Sequence, residues 1–174
     1  MKKDKGFLDI VLRYSLLLLL TIFGIKVFHF LFKPLTKYPV YWFLDVFYET
    51  SLNHLIHIPG KASIAIIGAC VAGSAYLLFF ILNLSTPNIN LVKRIKLLSI
   101  AIGSFLILNI IRIIILSLLL IEGSSSFSFV HTFFWFFISI VFVAGVWFFE
   151  VKKFNIKEIP FYSDIKNILQ EIKK

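Results

Sequence analysis

A single cysteine, Cys70, excludes an internal disulfide and any zinc centre built on several thiolates. Acidic residues are scarce too: nine Asp and Glu stand against eighteen Lys and Arg, for a formal net charge of +9. Such an excess suits nucleic acid in principle, but these basic residues lie in blocks beside apolar runs, as cytoplasmic membrane flanks do. No nucleic-acid partner is expected. The chain has no internal repeat, no low-complexity tract beyond its apolar runs, and no polar stretch long enough for a separate soluble domain. What it has is hydrocarbon. Hydrophobic residues make up 59% of 174, Phe alone counts 21, and the mean hydropathy is +0.93. A soluble chain this short buries about two thirds of its surface and has no interior for that much apolar area. Several runs approach the roughly 20 apolar residues that cross a bilayer as a helix. The fold class expected is all-α, a polytopic integral membrane helix bundle of about four transmembrane helices plus an outer interfacial helix. Residues 1–150 are expected to form the membrane domain and residues 151–174 a cytoplasmic basic amphipathic tail.

The first span covers residues 14–32. It is too long for a signal-peptide core and lacks a small-residue cleavage site, so it reads as an uncleaved signal anchor with Lys26 snorkelling towards the outer interface. Pro34 and Pro39 are expected to end it. Residues 40–56 suit a short helix on the interface, with Tyr41 and Trp42 at headgroup level and Pro59-Gly60 closing it. The run "ASIAIIGACVAGSAYLLFFILNLS" is the second span, and its helix starts either at Ala62 or near Gly68. After the polar link "NINLVKRIK" a third span runs over 97–121, interrupted by Arg112, and a fourth over 129–149. In the tail, Ile156, Ile159, Phe161, Ile165 and Ile168 are candidates for a membrane-surface face.

Basic residues orient the chain. Lys2, Lys3, Lys5 and Arg13 precede span one; Lys93, Arg94 and Lys96 join spans two and three; Lys152, Lys153, Lys157, Lys166, Lys173 and Lys174 follow span four. Only Lys33, Lys37 and Lys61 lie on the other side. Both termini are therefore expected in the cytoplasm, with segment 33–61 and the "EGSSSFS" link facing outward.

This topology puts three reactive side chains at one depth. Cys70 falls between the outer rim and roughly 12 Å below it, Arg112 roughly 14 Å below the outer end of span three, and His131 just inside span four, at 1.5 Å per helical residue. An arginine inside a span costs about 2.5–3.5 kcal/mol on insertion scales and usually marks a path or site. A thiol reacts as thiolate and is activated by neighbouring cations. Histidine can take its proton and pass it to a leaving amine, and arginine stays protonated to stabilise negative charge. Ala65, Ala69, Ala72, Gly73 and Ala75 permit close helix packing against span two. Asn109, one turn before Arg112, is a candidate to orient it, to bind backbone, or to make a helix-packing hydrogen bond. Glu122 reads more readily as a solvated loop carboxylate than as a partner that holds His131. His54 and His57 are metal-ligand types without a third partner, so no metal or cofactor is expected.

These residues resemble the exosortase/archaeosortase family. "ACVAGSAYLLFF" is similar to its Ala-Cys-x-Gly block, "LNIIRIIIL" to its Asn-x-x-Arg helix, and "FVHTFFW" to the histidine at the head of a span, over about residues 58–150. The resemblance implies a membrane-embedded cysteine protease-transpeptidase with Cys70 as nucleophile, Arg112 as electrostatic stabiliser and His131 as general acid/base. Its implied partners are exported proteins ending in a short motif, a transmembrane helix and a basic tail, with membrane lipid or another group as acceptor. The competing readings are a small transporter or assembly factor that uses Arg112 as a counter-charge, and a scaffold in which Cys70 is merely packed.

Overall fold

The computed structural model describes the backbone of residues 2–172 and the side-chain surroundings of residues 8–137 and 139–170. The flanking Lys2, Lys3 and Lys5 side chains, and all of Lys173 and Lys174, lie outside this description. Helix α1 spans Lys2–Phe47 and is followed by three short strands, β1 (Ser51–Leu52), β2 (Ile56–Ile58) and β3 (Ala62–Ile64). Then come α2 (Gly68–Val71), α3 (Gly73–Leu84), α4 (Leu91–Ile121) and α5 (Phe127–Phe133). A π-helical turn, Phe134–Ile138, joins α5 to α6 (Ser139–Lys153), and α7 (Tyr162–Ile172) ends the described chain. Three helical stretches are long and apolar enough to cross a membrane: Leu8–Phe47, Leu91–Ile121 and Phe127–Lys153; Gly68–Leu84 is shorter.

Pro34 and Pro39 sit inside α1 and do not end it. A proline strips the helix of one N–H and clashes with the preceding turn, which in water usually stops it. In lipid the alternative, an open backbone, costs several kcal/mol for each unpaired group, so the helix persists. Packing holds its last turns as well, since Val40 and Leu44 are fully buried.

The interfacial helix expected over residues 40–56 is not there. Residues 40–47 belong to α1, and beyond them the chain turns into an antiparallel sheet of order β1-β2-β3. The pattern Ile56-His57-Ile58 buries alternate residues, a period of two that no helix matches. Pro59-Gly60 closes this β2–β3 hairpin instead of a helix. Lys61 N–H donates to Ile58 O at 3.1 Å, and Gly60 takes the positive φ of 71° that the turn requires. The bundle is thus not purely helical.

Aromatic side chains lock α1, α3 and α4 together. Phe32 stacks on Tyr76 with ring centroids 3.8 Å apart, and Tyr76 meets Phe105 edge-on at 5.2 Å. Pairs of this kind add about 0.5–1.5 kcal/mol beyond area burial. Around this core an exposed belt of Leu18, Leu19, Ile22, Phe23 and Phe30 on α1, with Phe136, Phe137 and Ile140 opposite, presents apolar surface outward.

One end of the bundle is tied by cations. Arg13 makes a bidentate pair with Asp164 at 2.9 Å through each contact and also donates to Leu84 O at 2.9 Å, joining α1, α3 and α7. Arg94 donates to the carbonyl oxygens of Asn83 and Thr86, and Lys93 Nζ donates to Phe154 O at 2.8 Å. Helix α4 begins six residues before the expected span, because Asn90 caps it: its side chain accepts from Lys93 N–H at 2.8 Å. In the tail, Ile156 and Ile159 precede α7 rather than share its face. Its exposed apolar residues are Tyr162, Ile165, Ile168 and Leu169.

Candidate active site

Cys70 sits in α2, a single turn bounded by distinctive backbone on both sides. Ile67 is extended (φ −90°, ψ 175°) and residues 65–67 belong to no helix or strand, so the helix starts at Gly68. Ala72 then lies in the left-handed region at φ 55°, which breaks the helix and makes α3 a separate piece. A non-glycine residue there carries strain of about 1–2 kcal/mol. The thiol is half-buried.

A cavity of about 160 Å³ brings the three expected residues together. Cys70, Arg112 and His131 all line it, with residues 63–67 on one side and Ile113, Leu116 and Phe127 on the other. His131 is half-buried and stacks on Phe127, with ring centroids 5.7 Å apart. Its imidazole makes no hydrogen bond among the described residues. No hydrogen bond joins the three side chains directly.

Arg112 is 3% exposed and Asn109 1%. Asn109 Nδ2 donates to Cys70 O at 2.8 Å, and its Oδ1 accepts from Arg112 Nη1 at 3.4 Å. Arg112 Nη1 also donates to Ser139 Oγ at 3.2 Å, whose hydroxyl donates back to Phe134 O at 3.0 Å across the π turn. A continuous chain thus runs from the Cys70 backbone through Asn109 and Arg112 to the wide turn below His131. Arg112 Nε is buried without a partner among the described residues. The residue lines the cavity as a cation, and a guanidinium is suited to an anionic oxygen.

Glu122 is not part of this arrangement: it is exposed at the end of α4 and does not line the cavity. At Gly73 a Cβ would lie 3.3 Å from Ile25 O and 3.6 Å from His29 N, so α3 crosses α1 backbone to backbone. His57 Nδ1 and Ser63 Oγ lie 2.8 Å apart across the β2–β3 pair.

A second and larger cavity, about 750 Å³, runs alongside from Gly68 and Arg112 to Leu82, Trp147 and Phe148. It is an apolar groove between α1, α3 and α6, and Arg112 lines both spaces. Two residues here escaped the reading of the sequence. His29 lines the groove with a buried, unpartnered Nδ1, and Ser139 holds Arg112. His29 carried a signal in its polarity within an apolar run. Ser139 carried none, because its importance lies in which turn it closes. No protein-family model, curated protein or solved structure matches the chain.

Proposed function

We propose that this chain is a membrane-embedded cysteine protease-transpeptidase of the exosortase/archaeosortase kind. The observation that supports it best is the shared cavity of Cys70, Arg112 and His131, reached from three separate helices. Charge supports the orientation: Arg13, Lys93, Arg94, Lys152 and Lys153 cluster at the bundle end away from this cavity, and that end is assigned to the cytoplasm.

In this reading His131 takes the thiol proton and Cys70 Sγ attacks the carbonyl carbon of a peptide bond. Arg112 neutralises the oxyanion. The C–N bond breaks, the imidazolium proton goes to the leaving amine, and an acyl thioester remains on Cys70. An acceptor, either water or a hydroxyl or amine of a membrane lipid, then gives a proton to His131 and attacks the thioester carbonyl. The acyl group transfers to the acceptor and the returned proton restores the thiol. The substrates are exported proteins with a C-terminal motif, transmembrane helix and basic tail. The apolar groove offers the helix a lateral berth from Gly68 down to Leu82, about 21 Å at 1.5 Å per residue.

The test is mass-spectrometric. An exported protein with such a tail is co-expressed with wild type, Cys70→Ser, Arg112→Ala or His131→Ala, and its C-terminus is measured. Loss of the tail with wild type and an intact tail with Cys70→Ser are expected. Equal processing by Cys70→Ser would leave the thiol a packing residue and remove the mechanism.

A further inference from the structure

We infer that the free edge of β3 and its extended continuation, residues 62–67, is a strand-pairing site for the peptide segment that Cys70 attacks. The inference rests on the thiol-enzyme reading and adds how the substrate backbone is held.

Four observations carry it. In the order β1-β2-β3, only one side of β3 is paired, to β2, with register Ile56↔Ile64, His57↔Ser63 and Ile58↔Ala62. In an edge strand every second peptide group points away from its neighbour and stays available. The extended form outlasts the sheet: burial alternates through Ser63, Ile64, Ala65, Ile66 and Ile67, and Ile67 keeps strand dihedrals. Among the described residues no backbone or side-chain partner pairs the N–H groups of Ala65, Ile66 and Ile67, although Ile66 is buried. Finally, residues 63–67 form one wall of the cavity that Cys70, Arg112 and His131 share. That volume corresponds to about five waters at roughly 30 Å³ each, room for a peptide group or two rather than a lone ion.

An extended peptide is the ligand that this edge fits, because its backbone supplies the alternating donors and acceptors that the edge lacks. Pairing along 62–67 carries the peptide to the thiol, only three residues beyond Ile67. A substrate passing from the sheet end into the groove runs in the same direction as this segment, so the added strand is parallel to β3. Arg112, lining both cavities, marks where the substrate changes from strand to helix. Recognition through backbone leaves side-chain selectivity to the few positions that face Phe127 and Leu116.

The test uses the full chain in lipid nanodiscs and two probes: acetyl-Val-Ala-Ala chloromethyl ketone, and the same compound N-methylated at its backbone amides. With each, the thiol sulfur forms a bond to the methylene carbon, chloride leaves and the thiol proton passes to solvent. Intact mass reads the product at one site, since Cys70 is the single cysteine. Iodoacetamide gives the intrinsic thiol rate. The native-amide probe is expected to react about tenfold faster than the methylated one, the effect of losing one or two backbone hydrogen bonds. Adjacent N–H groups of a strand point opposite ways, so one of Ala65→Pro and Ile66→Pro removes this preference and the other keeps it. Equal rates for the two ketones, with labelling that still depends on His131, overturn strand pairing alone. Labelling by all reagents that is indifferent to His131→Ala overturns the thiol-enzyme reading beneath it.

Discussion

Asn109 holds the turn that carries Cys70: its Nδ2 donates to the Cys70 carbonyl oxygen at 2.8 Å, while its Oδ1 faces Arg112 at 3.4 Å. Asn109→Leu removes the partner of the Cys70 carbonyl and one of the two acceptors that hold Arg112 Nη1. It is expected to lower stability by about 1–3 kcal/mol and to cut substrate processing about tenfold or more through lost positioning. Thermal unfolding in detergent and the tail-processing assay read the two effects separately. Unchanged processing would mean that Cys70 is positioned by α2 alone.

In the proposed mechanism Arg112 is used for its planar fork as well as its charge. Arg112→Lys keeps the charge but cannot reach Asn109 and Ser139 while presenting a further N–H to the cavity. A loss of roughly 100-fold in processing is expected, the scale of removing one oxyanion donor. Ser139→Ala, which leaves the guanidinium in place but loosens it, is expected to cost several-fold. Full activity of the lysine variant would show that a point charge suffices.

The crossing of α1 and α3 at Gly73 has no spare room. Gly73→Val places new atoms against the backbone oxygen of Ile25, which cannot swing aside as a side chain would. Destabilisation of about 1–3 kcal/mol is expected from overpacking. Gly145→Ala is the matched control, since a Cβ there meets nothing within 4 Å. Unfolding midpoints in detergent compare the pair, and equal midpoints would show that α1 and α3 can separate freely.

The tail is secured by Asp164, which Arg13 grips through two bonds and Tyr14 through a third at 3.1 Å. Asp164→Ala leaves Arg13 with Asp9 and Leu84 O, so only part of the buried pair is lost. A cost of about 1–3 kcal/mol follows. Limited proteolysis between α6 and α7 is expected to speed up in the variant, with tail processing by the proposed site unchanged. Identical cleavage rates would mean that α7 is held by other contacts.

The apolar runs at 97–121 and 129–149 were legible because run length is a local property of the chain, and helical rise along them pointed to the cavity that Cys70, Arg112 and His131 line together. Residues 40–64 were not. Strands of two or three residues leave too few positions to separate a period of two from one of 3.6, and Tyr41 and Trp42 drew attention to the interface instead. Pro34 and Pro39 misled because their helix-breaking reputation is set in water, where the freed carbonyls find other donors. Ser139 was illegible for a different reason: its partner in α4 lies 27 residues away and meets it only across the π turn.

The break at Ala72 has a consequence for the membrane around the protein. Gly68–Leu84, even counted as one piece, rises only about 25 Å, less than the roughly 30 Å of a hydrocarbon core. A span that falls short is met by thinning of the lipid or by water drawn down to its end. At the Cys70 end the chain leading into α2 is extended rather than helical. In the orientation proposed above, lipid thinned at that end is the expected source of the water that a thiol at this depth requires.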